Sequence, residues 1–392
     1  MDGEKITFGE FAEKWLVDYA EKQLAAKTVF DYKNELTKRI LPAIGHIRLS
    51  KIKPNHLIDF YNNLSEDGMR LDTKYVLKPE YQEILSKERK KIQTVCDTTL
   101  RSVMKGNATT LNVAKRINDH CNIPLTEMFE LKKSKNKLTG KTINNYHKLI
   151  SSILSSAVQW QLILSNPCDR VTPPKIEKKE AKHYDDGIAK NMFAILENAP
   201  IRYQVAIYIA VFGGLRLGEI ASLEWTDIDF NENILKIDKA VQYISGIGNF
   251  DKVPKTEKSK REIALPEIVM NKLRIHQKEQ KEFQVQIGES WEHHNKIFTQ
   301  KNGRPIFHDT LSKWFSKWQK TNGLPKLKFH ELRHTSASLL IAEGVDIATV
   351  SKRLGHSNVL TTAGVYTHAI DRKDKEAAKK LEQLFTVEDK RL

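Results

Sequence analysis

The chain reads as a mainly α-helical protein with a small antiparallel β-sheet, a helical bundle in its first part and an α+β domain in its second. Three observations lead there. Apolar residues recur at helical spacing through most of the 392 residues, a charged and proline-rich stretch divides the chain at 166–186, and strand-type patterning is confined to 234–266. The length suits two or three domains, each with its own core.

Taken in order, "TFGEFAEKWLVDYAE" (7–21) opens on a Thr cap and carries Phe8, Phe11, Trp15 and Tyr19 at helical spacing. "KTVFDYKNELTKRIL" (27–41) is a second helix, expected to stop at Pro42. "KPNHLIDFYNNLSE" (53–66) predicts a third and "TGKTINNYHKLISSILSSAVQWQLI" (139–163) a long fourth. Together they predict a bundle of residues 1–67 plus 139–165, interrupted by an inserted subdomain, 68–138. Within the insertion, 96–131 reads as three short helices broken at "KGN" and "NIP". The stretch "NPCDRVTPPKIEKKEAKHYDD" (166–186) is expected to be an exposed linker. The second domain, 187–392, resumes with helices at "AKNMFAILENA" and "QVAIYIAVFGGLRLGEIASL". A single hairpin follows, 234–244 against 261–266, with a Lys-rich tip. Beyond it the chain is mostly helical, with Trp314 and Trp318 four apart in the core and an amphipathic tail helix at 376–385.

Composition narrows the function. Lys and Arg outnumber Asp and Glu by 64 to 49, a net charge of +15, and the bases are spread along the chain. A folded basic surface for a polyanion, nucleic acid above all, follows from that distribution. The three cysteines, Cys96, Cys121 and Cys168, are far apart and form neither a metal-ligand spacing nor a disulfide framework, as expected of a reducing cytoplasm. The first residues lack the apolar core of a signal peptide, and no apolar run is long enough to span a bilayer, so a cytoplasmic protein without membrane contact is expected.

Two chemistries compete for "HELRH" (330–334). The letters match the H-E-x-x-H pattern of zinc hydrolases. On a helix, however, His330, Arg333 and His334 share a face, which sets a permanent guanidinium beside a dication. A third ligand, His356 or a downstream Glu, is also needed. A phosphate site uses the same face better: Arg333 offers a planar fork to two oxygens, and His330 exchanges a proton. Such a site calls for a second Arg, a third donor and a nucleophile. "GGLRLGEIASLEWTDID" supplies Arg216, with Glu219 three residues on. "RLGHSNVLTTAGVYTHA" supplies His356 and Tyr366, and "PKTEKSKREIALP" supplies Lys255, which shares its tip with Lys252, Lys258 and Lys260. Each has an ordinary reading as well: Arg216 a helix-end cation, Tyr366 a core aromatic, His356 a cap, His334 a packing residue. His293 and His294 read as a solvated loop.

The pieces "GLRLGEI", "KTEKSKREIALP", "HELRHTSASLL" and "LGHSNVLTTAGVYTH", in that order, resemble the tyrosine recombinases, or phage integrases, over nearly all of 166–385. The look is closest to integrases of Gram-positive phages and conjugative transposons. The resemblance implies a core-binding bundle and a catalytic domain forming a C-shaped DNA clamp. Tyr366 is then the nucleophile, and Arg216 and Arg333 bind the phosphate. His330 is the base, His356 a further donor and Lys255 the acid for the leaving oxygen, with Glu219 and His334 in support. It implies double-stranded DNA sites as partner, a homo-tetramer joining two duplexes through a Holliday junction, an accessory DNA-bending or excision factor, and no metal or other cofactor. The tail helix would dock on a neighbouring protomer or pack on its own domain. A type IB topoisomerase-like enzyme and an inactive DNA-binding regulator remain the alternatives.

Two departures from the family stand out. The segment 98–131 resembles the end of a phage-repressor-type helix-turn-helix, which would place Thr98, Thr99 and Arg101 near DNA; a helical subdomain packing on the bundle or on another protomer is the alternative. The chain begins almost directly at the bundle, so the family's small N-terminal domain for arm-type sites is expected either to be absent or to have been trimmed away.

Overall fold

The computed structural model describes residues 3–66, 74–132, 137–176, 181–252, 260–356, 358–359 and 382. It divides into two compact units, Met1–Lys178 and Lys179–Leu392.

In the first unit, Thr7 caps α1 (Phe8–Trp15) through a reciprocal box: its hydroxyl accepts the Glu10 N–H, and the Glu10 carboxylate accepts the Thr7 N–H. A π turn, Leu16–Ala20, leads into the short α2 (Glu21–Gln23). After α3 (Ala26–Glu35) a second π turn, Leu36–Ile40, runs into α4 (Leu41–Ile44). The helix therefore continues past Pro42, where the sequence pattern suggested a stop. Pro42 falls at the start of α4, just after a wide turn that already departs from the i→i−4 ladder which a proline breaks. α5 (Pro54–Leu64) follows.

The bundle core closes only when the chain returns. α10 (Gly140–Gln159) places Leu149, Ile150, Ile153 and Leu154 at zero exposure against Phe8, Phe11 and Trp15, and the buried Trp15 indole donates to Ser156 Oγ at 2.8 Å. Cys168 and Val171 belong to the same core. Asn166 ties them to α10 through Ser151 and Ser155, so 166–171 is folded rather than linker. At the other end Tyr184 is 2% exposed in the second unit's core, which also trims the expected linker.

Between α5 and α10 the insertion builds a separate core. Its elements are β1 (Lys74–Leu77), α6 (Gln82–Glu88), α7 (Asp97–Met104), α8 (Leu111–Cys121), α9 (Leu125–Met128) and β2 (Phe129–Lys132). The three short helices fall at the "KGN" and "NIP" breaks. The strand pair, Lys74 opposite Lys132 through Leu77 opposite Phe129, was hidden in the sequence because each half is only four residues long. Pairing its first and last strands returns the chain near where it left.

The second unit is organised around α12 (Ile201–Phe212), ten of whose twelve residues are buried, as an all-round apolar helix requires. α11 (Asp186–Leu196), α14 (Glu267–Ile287), α15 (Thr310–Thr321) and α16 (Leu332–Ala342) contribute to its core, and α17 (Ile347–Leu354) packs on α16. Trp314 lies half-buried, stacked at 4.0 Å on Tyr203. The expected single hairpin is two-tiered. β3 (Ile228–Asp229), β4 (Ile234–Ile237) and β7 (Arg261–Ala264) form one antiparallel sheet in the order β3-β4-β7; β5 (Ala240–Ile244) and β6 (Gly248–Lys252) form a second pair. β6 escaped the sequence pattern because two of its first residues are Gly248 and Asn249. α13 (Leu217–Ser222) packs against β5.

The discontinuous bundle core sets a test. Leu149→Ala is expected to cost about 2–5 kcal/mol in urea unfolding, while Ile84→Ala, at an exposed position, stays within about 0.5 kcal/mol.

Candidate active site

The site starts at the break between α12 and α13. Gly214 has φ +65°, and a Cβ there would lie 2.5 Å from Leu354 Cδ2, so glycine is required on both counts. The turn brings Arg216 to the N-cap of α13 in extended conformation. Its backbone N–H donates to Glu219 Oε2 at 2.9 Å and its Nη1 to Oε1 at 2.7 Å. Glu219 is 6% exposed and is shared: Arg261 on β7 donates Nη2 to Oε2 at 2.9 Å and Nη1 to Oε1 at 3.3 Å.

Four more hydrogen bonds knit the break and its neighbours together. Arg333, 2% exposed on α16, donates Nη1 to Gly214 O at 2.7 Å. Arg353 donates Nη2 to Phe212 O at 2.7 Å and to Ala264 O at 2.9 Å. Arg261 Nε donates to Arg353 O at 2.9 Å. Arg216, Glu219 and Arg333 thus converge as the sequence suggested. Arg261 and Arg353 were missed, though a signal existed: strand alternation puts Arg261 on the same buried face as Ile263.

The histidines complete the rim. The segment expected as one helix face is split, since Phe329–Glu331 forms a 3-10 turn and α16 begins at Leu332. Lys328 is extended, and the Glu331 carboxylate accepts its N–H at 2.7 Å, which tightens the entry into this turn and occupies that carboxylate. The rings of His330 and His334 still meet edge to face, 5.6 Å apart. α17 ends at Gly355 with φ +66°, and His356 N–H returns to Ser351 O at 3.1 Å, which holds His356 next to Arg216, whose Nη2 reaches Gly355 O at 3.5 Å.

Among the described residues, charge is unbalanced here. One buried carboxylate faces Arg216 and Arg261, with Arg333 and Arg353 near by. Burial pushes the Glu219 pKa up, but the Arg261 hydrogen bond and charge, then Arg216, bring it down to about 2. Burial first, then the Arg333 and Arg216 charges, lower His356 to about 4. The same causes lower His330, and burial, His330 and Arg333 lower His334. All three are therefore neutral at pH 7. Beside them opens a pocket of about 580 Å³ whose lining includes Lys260, Arg261, Lys352 and His356.

Lys255 and Tyr366 lie outside the described residues, as does all of the 376–385 tail except Glu382. Thr98, Thr99 and Arg101 sit in the first turns of α7 in the other unit; the Thr hydroxyls meet Cys96 Sγ at 3.4 and 2.9 Å, and Arg101 pairs with Asp97 at 2.8 Å. His293 and His294 are exposed.

A partly open site of converging guanidiniums and neutral histidines on an α+β scaffold defines a protein that handles an anionic group of the phosphodiester kind. The comparisons carry this further. Residues 186–373 match the phage integrase family and residues 7–65 the phage integrase N-terminal SAM-like domain. The tyrosine recombinase XerC-like protein of Caldanaerobacter subterraneus subsp. tengcongensis is 30% identical over 67% of this chain and 72% of its own length. The ICEBs1 integrase of Bacillus subtilis is 30% identical over 63% of this chain and 67% of its own. In fold, the chain matches the Tn1549 transposon integrase solved with a circular intermediate DNA, with TM-score 0.66, 16% identity, and coverage of 96% of this chain and all of that one. The chain belongs to the phage integrase family and is a tyrosine site-specific recombinase.

The Glu219 pair fixes an acid response. Because its folded pKa lies below the usual 4.5, its contribution is complete above that value and is lost as pH falls through 4.5 towards 2. The shift corresponds to roughly 3 kcal/mol. Urea unfolding at pH 3, 5 and 7 is expected to show this loss in the wild type and a flatter profile in Glu219→Gln. At pH 7 that variant should be destabilised by about 3–5 kcal/mol, since Arg261 stays buried.

Proposed function

We propose that this recombinase integrates and excises a mobile element by cleaving and rejoining DNA at specific sites through a 3′-phosphotyrosine on Tyr366. The observation that carries the reading is the shared Glu219 carboxylate, which holds Arg216 at the rim while Arg333 is fixed from behind.

A phosphodiester bears one negative charge, and attack on phosphorus builds a second in the transition state. Guanidiniums fixed before the reaction stabilise that second charge more than the first, which lowers the barrier instead of merely tightening binding. Arg216 and Arg333 take the non-bridging oxygens, and neutral His356 donates one N–H. A tyrosine phenol ionises near pH 10, so it needs an acceptor. His330, held neutral by its surroundings, takes that proton as the Tyr366 oxygen bonds to phosphorus. The P–O5′ bond breaks, and Lys255 delivers a proton to the leaving oxygen. A 5′-hydroxyl of another strand reverses the same steps, with no nucleotide hydrolysed. Glu219 and His334 position these groups.

Both units bind DNA in this proposal, chiefly through phosphate, and four protomers bring two duplexes together in a Holliday junction, helped by an accessory DNA-bending or excision factor. The insertion adds a contact of its own. Thr98, Thr99 and Arg101 open α7, and Lys105, Lys115 and Arg116 are exposed on α7 and α8 or just beyond.

A DNA duplex nicked just past the cleavage point traps the covalent step. It is expected to yield a protein–DNA adduct that survives EDTA and is abolished in Tyr366→Phe. Arg333→Lys should slow its formation by about 10²–10³-fold. Absence of adduct on a verified site contradicts the proposal. For the insertion, β1 and β2 lie side by side, so 74–132 can be replaced by a short Gly-Ser link. Weaker site binding with a shallower salt dependence is expected, and unchanged affinity and footprint would remove the insertion from the DNA interface.

A further inference from the structure

We propose that Arg261 is a positioning residue of the strand-cleavage reaction: it neutralises Glu219 from behind, which leaves the charge of Arg216 for the scissile phosphate. The inference rests on the recombinase reading above.

The two guanidiniums on Glu219 are not equivalent. The Arg261 side chain is 6% exposed, whereas that of Arg216 is 40% exposed. Arg261 spends all three donor nitrogens inside the protein, two on the carboxylate and one on Arg353 O. Its guanidinium is therefore engaged by the protein through every nitrogen, which suits it to hold Glu219 rather than to grip a phosphate. Arg216 gives Glu219 only Nη1 and its backbone N–H, and turns its remaining edge toward Gly355 and the rim. Arg261 and Glu219 form a closed, buried pair of no net charge, and Arg216 is the cation in excess. Without Arg261, Glu219 has Arg216 as its guanidinium partner; the pair then cancels, and Arg216 is drawn inward.

The same side chain gauges the far wall of the site. A Cβ on Gly355 would lie 2.9 Å from Arg261 Nη1, so the glycine lets the end of α17 close on this guanidinium, and His356 follows directly. Arg261 thus joins the α13 acid, the sheet and the end of α17, and its removal is felt at Arg216 and His356 together.

The test compares two nicked substrates, one with a normal scissile phosphodiester and one with a methylphosphonate there. The methyl group replaces a charged non-bridging oxygen, so the transition state carries one negative charge instead of two and depends less on the cation at Arg216. Arg261→Gln is expected to slow adduct formation on the phosphodiester by on the order of 10²-fold. On the methylphosphonate, wild type and variant should differ less than about 3-fold. Adding Glu219→Gln should restore part of the lost rate, since Arg216 is then released from an unbalanced carboxylate. Arg261→Lys, which keeps the charge, should lose less than Arg261→Gln. Equal losses on both substrates, or a double variant slower than Arg261→Gln, would overturn the positioning role and leave a structural one. Thermal melts of each variant identify any that fail to fold, for which Arg261→Lys carries the comparison. Wild type that forms no adduct on the phosphodiester would instead sink the recombinase mechanism itself.

Discussion

The buried carboxylate of Glu219 organises the candidate site in the second unit. Glu219 accepts from the backbone and side chain of Arg216 and from both terminal nitrogens of Arg261, and those bonds join a helix start to a sheet edge. Removing a carboxylate from water is costly unless its charge and lone pairs are met, and here both are. The surroundings follow from this constraint. Gly214 must be glycine so that the turn ahead of Arg216 can approach Leu354. Gly355 must be glycine so that α17 can end against Arg261. Arg333 and Arg353 then hold the intervening carbonyls, Gly214 O and Phe212 O.

The consequence is electrostatic. Two guanidiniums, Arg216 and Arg261, meet the Glu219 carboxylate, and the charges of Arg216 and Arg333 act on the histidines at the rim. They help burial to keep His330, His334 and His356 unprotonated at neutral pH. An imidazole held neutral near an anionic substrate can accept a proton, and one that is deprotonated at a single nitrogen still donates from the other. The same charges favour a bound phosphate, whose charge offsets the excess. In the proposed reaction, binding and proton transfer are then tuned by one arrangement of charge. That arrangement is rigid, because its parts are carbonyl-anchored side chains on packed helices and strands.

Much of this was legible in the sequence, for physical reasons that differ by region. The bundle helices announced themselves through Phe8, Phe11 and Trp15, or through Leu149, Ile150 and Ile153, because burial imposes a strict period. Arg216, Glu219, Arg333 and the three histidines were singled out by motif order. What escaped were features set by tertiary context. The helix passes Pro42 because a π turn precedes it. The β1–β2 pair is four residues a side, too short for alternation to register, and β6 begins with residues poor in strand propensity. The "HELRH" segment divides between a 3-10 turn and a helix, because Glu331 caps its own entry. Arg261 was passed over as one more cation in the basic run of Lys252, Lys258 and Lys260, although strand alternation sets it on the face of Ile263.

The central claim is that burial, with the charges of Arg333 and Arg216 added to it, holds the rim histidines neutral until a phosphate arrives. A nuclear magnetic resonance titration of the histidine rings, with His356 assigned through His356→Gln, measures this directly. In the free protein His356 is expected to protonate near the value of about 4 that its surroundings impose, and to shift upward when DNA carrying the scissile phosphate is bound to Tyr366→Phe. A His356 that titrates near the ordinary 6.5 in the free protein, with no change on binding DNA, would contradict the account.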